Sequence, residues 1–74
     1  MPKLPQISGR ECVITLEKVG YRLLRQTRSH VHVRRDKPFA QVAIPNHNPI
    51  KRGTLQSIIR QSGLSVDEFL ELLK

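Results

Sequence analysis

The chain has 74 residues, and 13 Lys plus Arg against 6 Asp plus Glu give a formal charge of +7 with His neutral. At this length surface-to-volume scaling leaves no apolar area for a second core, so residues 1–74 read as one domain, which excludes a large enzyme with its own cofactor domain. A hydrophobic fraction of 38% supports a compact core and excludes wholesale disorder.

The first predicted element opens at Ser8-Gly9-Arg10-Glu11, a capping box in which the Ser8 hydroxyl accepts from the Glu11 N–H and the Glu11 carboxylate reaches back to the Ser8 N–H. Cys12, Val13, Leu16 and Val19 follow at helical spacing, and Gly20 supplies a left-handed stop, so a helix is expected over about residues 9–19. Tyr21–Thr27 leans toward strand but alternates imperfectly. His30-Val31-His32-Val33-Arg34 alternates cleanly, with Val31 and Val33 toward the core and His30, His32 and Arg34 on the opposite face. Asp36-Lys37-Pro38 is a turn. Phe39–Ile44 is a third strand with Ala40, Val42 and Ile44 on one face, ended by Pro45. Residues 45–53 read as a loop. Thr54–Ser62 is a helix with Leu55, Ile58 and Ile59 as its apolar stripe, ended by Gly63. Ser65-Val66-Asp67-Glu68 is a second capping box, opening a short last helix with Phe69, Leu70, Leu72 and Leu73. Short connections make the strands an antiparallel meander. The expected class is therefore α+β, an α-β-β-β-α two-layer sandwich with a short extra C-terminal helix.

One cysteine, Cys12, excludes an internal disulfide framework and a Cys-rich zinc site, and its place on the apolar stripe reads as a packing residue. No apolar run approaches the roughly 20 residues of a membrane helix. Met1-Pro2-Lys3-Leu4-Pro5 has no apolar signal region. A soluble protein of a reducing, cytoplasmic setting is expected.

The charge is concentrated. Residues 20–60 hold nine bases (Arg22, Arg25, Arg28, Arg34, Arg35, Lys37, Lys51, Arg52 and Arg60) against Asp36 alone, for +8. Seven of the nine are Arg, which suits planar phosphate contact. Such a field attracts polyanions, nucleic acid first among them. Aromatic residues are only 4%, which argues against base stacking as the main binding mode and for phosphate and 2′-OH contact.

His30 on the polar strand face is either an ordinary exposed histidine or a proton carrier, and His32 is its neighbour on that face. A zinc site at His30 and His32 would need further ligands, and only His47 is at hand, so no metal is expected. His47 reads as a loop-capping residue or a hydrogen-bond partner of the backbone. Lys51-Arg52-Gly53-Thr54 leads into a helix, either as ordinary capping or as a phosphate site.

Ser8-Gly9-Arg10-Glu11, Lys18-Val19-Gly20-Tyr21, Ser29-His30, Pro45-Asn46-His47, Arg52-Gly53-Thr54-Leu55 and Arg60-Gln61-Ser62-Gly63-Leu64-Ser65 fall in the order and spacing of the HicA toxin family. The chain resembles these small mRNA interferases of HicA–HicB toxin–antitoxin pairs from Ser8 to Leu73. The resemblance implies a fold like that of double-stranded-RNA-binding domains. It implies metal-independent cleavage of mRNA, without a cofactor, that halts translation, and neutralisation by a HicB-type antitoxin. The family's Gly-Ser-His motif maps its catalytic histidine onto His30. The sequence departs from it at Arg28, which stands where the family has Gly and either gates the site or adds a phosphate contact. Asp36-Lys37-Pro38 replaces the family's Asp-Gly hairpin, a change of turn only.

RNA carries its own nucleophile, the 2′-OH. Cleavage needs that hydroxyl deprotonated, the leaving 5′-oxygen protonated and the phosphorane charge stabilised. A histidine can do the proton work near neutral pH, worth ~10²–10⁴-fold, and Arg or Lys can meet the charge. His30 is thus the expected catalyst, with Arg28, Ser29, Arg34, Lys51 and Arg52 as expected RNA contacts. The alternatives are a non-catalytic RNA-binding module of the same fold and a small basic DNA-binding or ribosome-associated protein. No helix-turn-helix spacing supports the latter.

Overall fold

A computed structural model describes residues 4–73. Residues 1–3 and 74 lie outside it, and with them most of the N-terminal stretch read for a signal segment. The element order is α1 (Gly9–Glu17), β1 (Arg22–Gln26), β2 (His30–Asp36), β3 (Phe39–Pro45), α2 (Arg52–Gln61) and α3 (Val66–Leu73). The three strands form one antiparallel sheet in the order β1-β2-β3. This is the expected two-layer α+β arrangement, with the layout of a double-stranded-RNA-binding domain and the extra C-terminal helix.

Both capping boxes form. The Ser8 hydroxyl accepts from the Glu11 N–H at 3.1 Å and the Glu11 carboxylate accepts from the Ser8 N–H at 3.1 Å. The same reciprocal pair joins Ser65 and Glu68, at 2.9 and 3.1 Å. Each box satisfies helix-start N–H groups that would otherwise have no partner.

Element ends differ from the sequence reading by a residue or two. α1 stops at Glu17, because the chain tightens into a turn in which the Val19 and Tyr21 N–H groups both donate to the Leu16 carbonyl. Gly20 then takes φ +97°, a left-handed conformation that a side chain would resist. α2 starts at Arg52, two residues earlier than expected, on Lys51, whose side chain caps nothing. β1 carries a bulge between Leu23 and Arg25. The bulge is the physical reason for its imperfect alternation: Leu23 pairs with Val33, Arg25 with His32, and Leu24 is the extra residue between them.

The core lies between the sheet and the helices. Cys12 and Leu16 of α1, Val33 of β2, Val42 and Ile44 of β3 and Phe69 of α3 have no exposed surface, and Leu55, Ile58 and Ile59 of α2 close it. Burial pushes the Cys12 thiol up to about 12, so it stays neutral and packs as a small hydrophobe. None of the described helices covers the opposite face of the sheet.

One end of the sheet is locked by a polar knot. The buried Tyr21 hydroxyl donates to the Ser62 carbonyl at 3.0 Å, and the Ser62 hydroxyl donates to the Ile59 carbonyl at 2.7 Å. The Arg35 guanidinium stacks over the Tyr21 ring at 4.7 Å and donates to the Ser62 and Pro38 carbonyls at 3.2 Å each. Burial raises the Tyr21 pKa, and the Arg35 charge partly offsets the rise. Strand parity explains the difference between neighbouring arginines: Arg35 shares the inner face with Val31 and Val33, whereas Arg34 points outward.

Candidate nucleic-acid interface and histidine site

His30 opens β2 and is held from both sides. A tight connection closes in front of it: the Thr27 N–H donates to the His30 carbonyl at 2.8 Å, and the His30 N–H donates to the Thr27 hydroxyl at 3.1 Å. Arg28 and Ser29 form the tip. No non-glycine residue among those described has a positive φ, so Arg28 takes the family's glycine position without backbone strain. On the other side His30 pairs with Pro45 at the end of β3, and the Asn46 N–H donates to the Ser29 carbonyl at 2.8 Å.

The His30 ring is exposed, with Nδ1 2.9 Å from the Ser29 hydroxyl. This contact orients the imidazole and leaves Nε2 to solvent. Of the expected RNA contacts, Ser29 is thus the one in direct contact with His30. The His32 ring lies 6.3 Å from that of His30, centroid to centroid, on the same open face.

A cavity of about 310 Å³ opens beside His30, lined by His30, Ala43, Pro45, His47, Lys51 and Thr54. Among the described residues no carboxylate lines it. Lys51 also precedes the first turn of α2, whose N–H groups receive no side-chain cap from it, so a cation and helix-start donors share one place. Neither the Arg28 nor the Lys51 side chain makes a hydrogen bond or ion pair with any described residue. Among the described residues no three His, Cys, Asp or Glu side chains gather in a way that could hold a metal ion.

The other expected contacts fall elsewhere. Arg34 is on the outer face, but four residues along the strand from His30, about 13 Å at strand rise. Its Nε donates to Asp36 at 3.1 Å, its guanidinium covers the Phe39 ring at 5.6 Å, and Arg22 takes the other Asp36 oxygen at 3.1 Å. Arg52 lines a second cavity with Pro5, Gln6 and Pro49, and Lys51 borders both cavities. Two residues outside the expected set join the site. Arg25, brought to the outer face by the bulge, pairs opposite His32. His47 faces the cavity, and it is the His47 carbonyl, not the ring, that ties down the loop, by accepting from the Gly9 N–H at 2.9 Å. Counting along the hairpin from Asp36 opposite Phe39 puts Pro45 opposite His30, so the signal for His47 lies in the register, not in the loop's own composition.

Fold and site together define a small basic α+β domain with a fold like that of double-stranded-RNA-binding domains, in which two exposed histidines, His30 and His47, line a cavity with Lys51. A family model described as the HicA toxin of bacterial toxin–antitoxin matches residues 9–64, and the chain belongs to that family. It is thus the toxin member of a toxin–antitoxin pair and has a cognate antitoxin. No curated protein matches the sequence. Among the described residues no helix is long and apolar enough to cross a membrane.

Proposed function

We propose that the protein is a metal-independent endoribonuclease that cuts mRNA in the cytoplasm and so stops translation. His30 acts as general acid or base at the scissile phosphate. The observation that carries this reading is the cavity in which the exposed His30 meets Lys51 and no carboxylate. A phosphate there faces a proton carrier and a cation together. A divalent-metal mechanism normally recruits one or two carboxylates, and the nearest acidic chemistry on the sheet, Asp36, is already paired with Arg22 and Arg34.

The chemistry follows from the substrate. The 2′-oxygen attacks phosphorus, the bond to the 5′-oxygen breaks, and the products end in a 2′,3′-cyclic phosphate and a 5′-hydroxyl. Lys51 in the cavity, with Arg28 two residues before His30 in the chain, meets the growing phosphorane charge. Ser29 fixes the ring of His30, which sets which nitrogen faces the substrate. Arg25 and His32 extend the surface along the open face. The cognate antitoxin is of the HicB type and inhibits by laying an acidic surface over this end of the sheet, which neutralises the unpaired cations and buries His30.

The test is cleavage of a defined single-stranded RNA by purified protein in EDTA, with end-group analysis. Cleavage should persist in chelator and leave cyclic-phosphate ends. His30→Ala should lower the rate by about 10²–10⁴-fold and leave the melting temperature unchanged, since the ring is exposed. A folded wild type that leaves RNA intact, or a His30→Ala protein that cuts at the wild-type rate, contradicts the reading.

A further inference from the structure

We propose that His47 is the second proton-transfer group of the site and works opposite His30 on the same phosphate. The inference rests on the ribonuclease reading above and deepens it. Attack by the 2′-oxygen and departure of the 5′-oxygen occur on opposite sides of phosphorus. One imidazole cannot stand on both sides in one step, so efficient cleavage calls for a second group.

The cavity supplies one. His30 and His47 both line it, together with Lys51 and Thr54. The loop that carries His47 is anchored at three points. The Gly9 N–H holds the His47 carbonyl at 2.9 Å, the Ile50 N–H donates to the Ile7 carbonyl at 2.8 Å, and the Asn46 N–H donates to Ser29 at 2.8 Å, next to His30. α1 approaches so closely that a methyl group on Gly9 would stand 2.5 Å from the Pro45 carbonyl oxygen. The backbone of the loop is thus fixed while the His47 ring stays exposed and makes no hydrogen bond with a described residue. A ring that served only to cap the loop would be spent on it.

His32 is nearer to His30 in sequence, but it does not line the cavity. It lies across from Arg25 and Ala43 on the flat of the sheet. The titratable side chains around the cavity are His30 from β2, His47 from the loop and Lys51 before α2; Ala43 and Pro45 of β3, and Gly9 of α1, bring no charge. In the step proposed, one imidazole takes the 2′-OH proton as the O2′–P bond forms. The other, protonated, gives its proton to O5′ as the P–O5′ bond breaks. The balance needs no further reactant.

Two measurements test this. The first is the pH–rate profile of kcat for the wild type and for His47→Gln, a change at an exposed ring that should not disturb folding. His47→Gln should lower kcat by about 10²–10⁴-fold, leave KM within roughly threefold, and abolish one limb of the wild-type bell. The second uses an RNA with sulfur in place of the bridging 5′-oxygen at the cleaved position. A thiolate leaves without a proton, so this substrate should restore the rate of one of His30→Ala and His47→Gln and not the other. A His47→Gln protein within roughly threefold of wild-type kcat, with His30→Ala dead, overturns this proposal alone. So does loss of the limb by His32→Gln in place of His47→Gln, or a sulfur substrate that rescues both variants or neither. A folded wild type that cuts no RNA overturns both readings.

Discussion

The two ends of β2 carry the same kinds of residue and use them differently. At the Asp36 end every cation on the strand has a partner: Arg35 is stacked on Tyr21 and bonded to Ser62 and Pro38, and Arg34 shares Asp36 with Arg22. At the His30 end Arg28 and Lys51 face solvent without a partner among the described residues, and His30 and His47 share a cavity with Lys51. A uniform basic stretch in the sequence thus divides into a structural half and an available half. Net charge sets the long-range field, but only the unpaired half can exchange its solvent for a phosphate without first breaking a contact of the fold.

The comparison breaks most visibly at Arg35. Arg35→Ala removes the stacking on Tyr21 and three charged hydrogen bonds, to the Pro38, Ser62 and Val19 carbonyls, and should lower stability by about 2–4 kcal/mol, read by chemical denaturation, with RNA affinity lost only through unfolding. Next is Gly9→Ala. The clash with the Pro45 carbonyl should lower stability by about 1–3 kcal/mol and, because the same contact places the His47 loop, lower cleavage further than the unfolded fraction explains. Lys51→Ala should leave stability unchanged, weaken RNA binding across sequences and reduce the log–log salt slope by about 0.7 for a single strand. Asp36→Asn opens two solvent-exposed ion pairs, so its stability should stay within about 1 kcal/mol of wild type, with cleavage unchanged. The smallest effect is at Glu68. Hydrogen bonds from the Ser65 N–H and hydroxyl hold its carboxyl below the ordinary glutamate range. A depressed folded value means that the contribution is present above the ordinary pKa and is lost as pH falls through the folded one. Glu68→Ala should therefore melt slightly lower than wild type at neutral pH, and the gap should close in strong acid.

Much of this molecule was legible beforehand, and the parts that were not share a cause. The capping boxes at Ser8 and Ser65 and the alternation of Val31, Val33, Val42 and Ile44 are local signals, and the structure keeps them. The face of β1 was not legible, because the bulge at Leu24 shifts Arg25 by a residue and no short-range pattern marks it. Alternation puts Arg34 on the outer face, but the Tyr21–Arg35–Ser62 knot joins residues far apart in the chain and carries no local signal. His30 could be singled out from its motif. His47 could not, since a loop has no period and its place beside His30 depends on the register of β2 with β3. The start of α2 at Arg52 was missed because Lys51 is not a capping residue.

The most direct test of the division is to map where RNA lands. An RNA with 2′-O-methyl groups cannot supply the nucleophile, so it can be titrated into wild-type protein and followed residue by residue through amide chemical shifts. The largest shifts should gather at residues 28–32, 43–47 and 51–54, with those of residues 22, 34–36 and 39 little changed. Shifts centred on Arg22, Arg34 and Phe39, with His30 and Lys51 unmoved, would contradict the account.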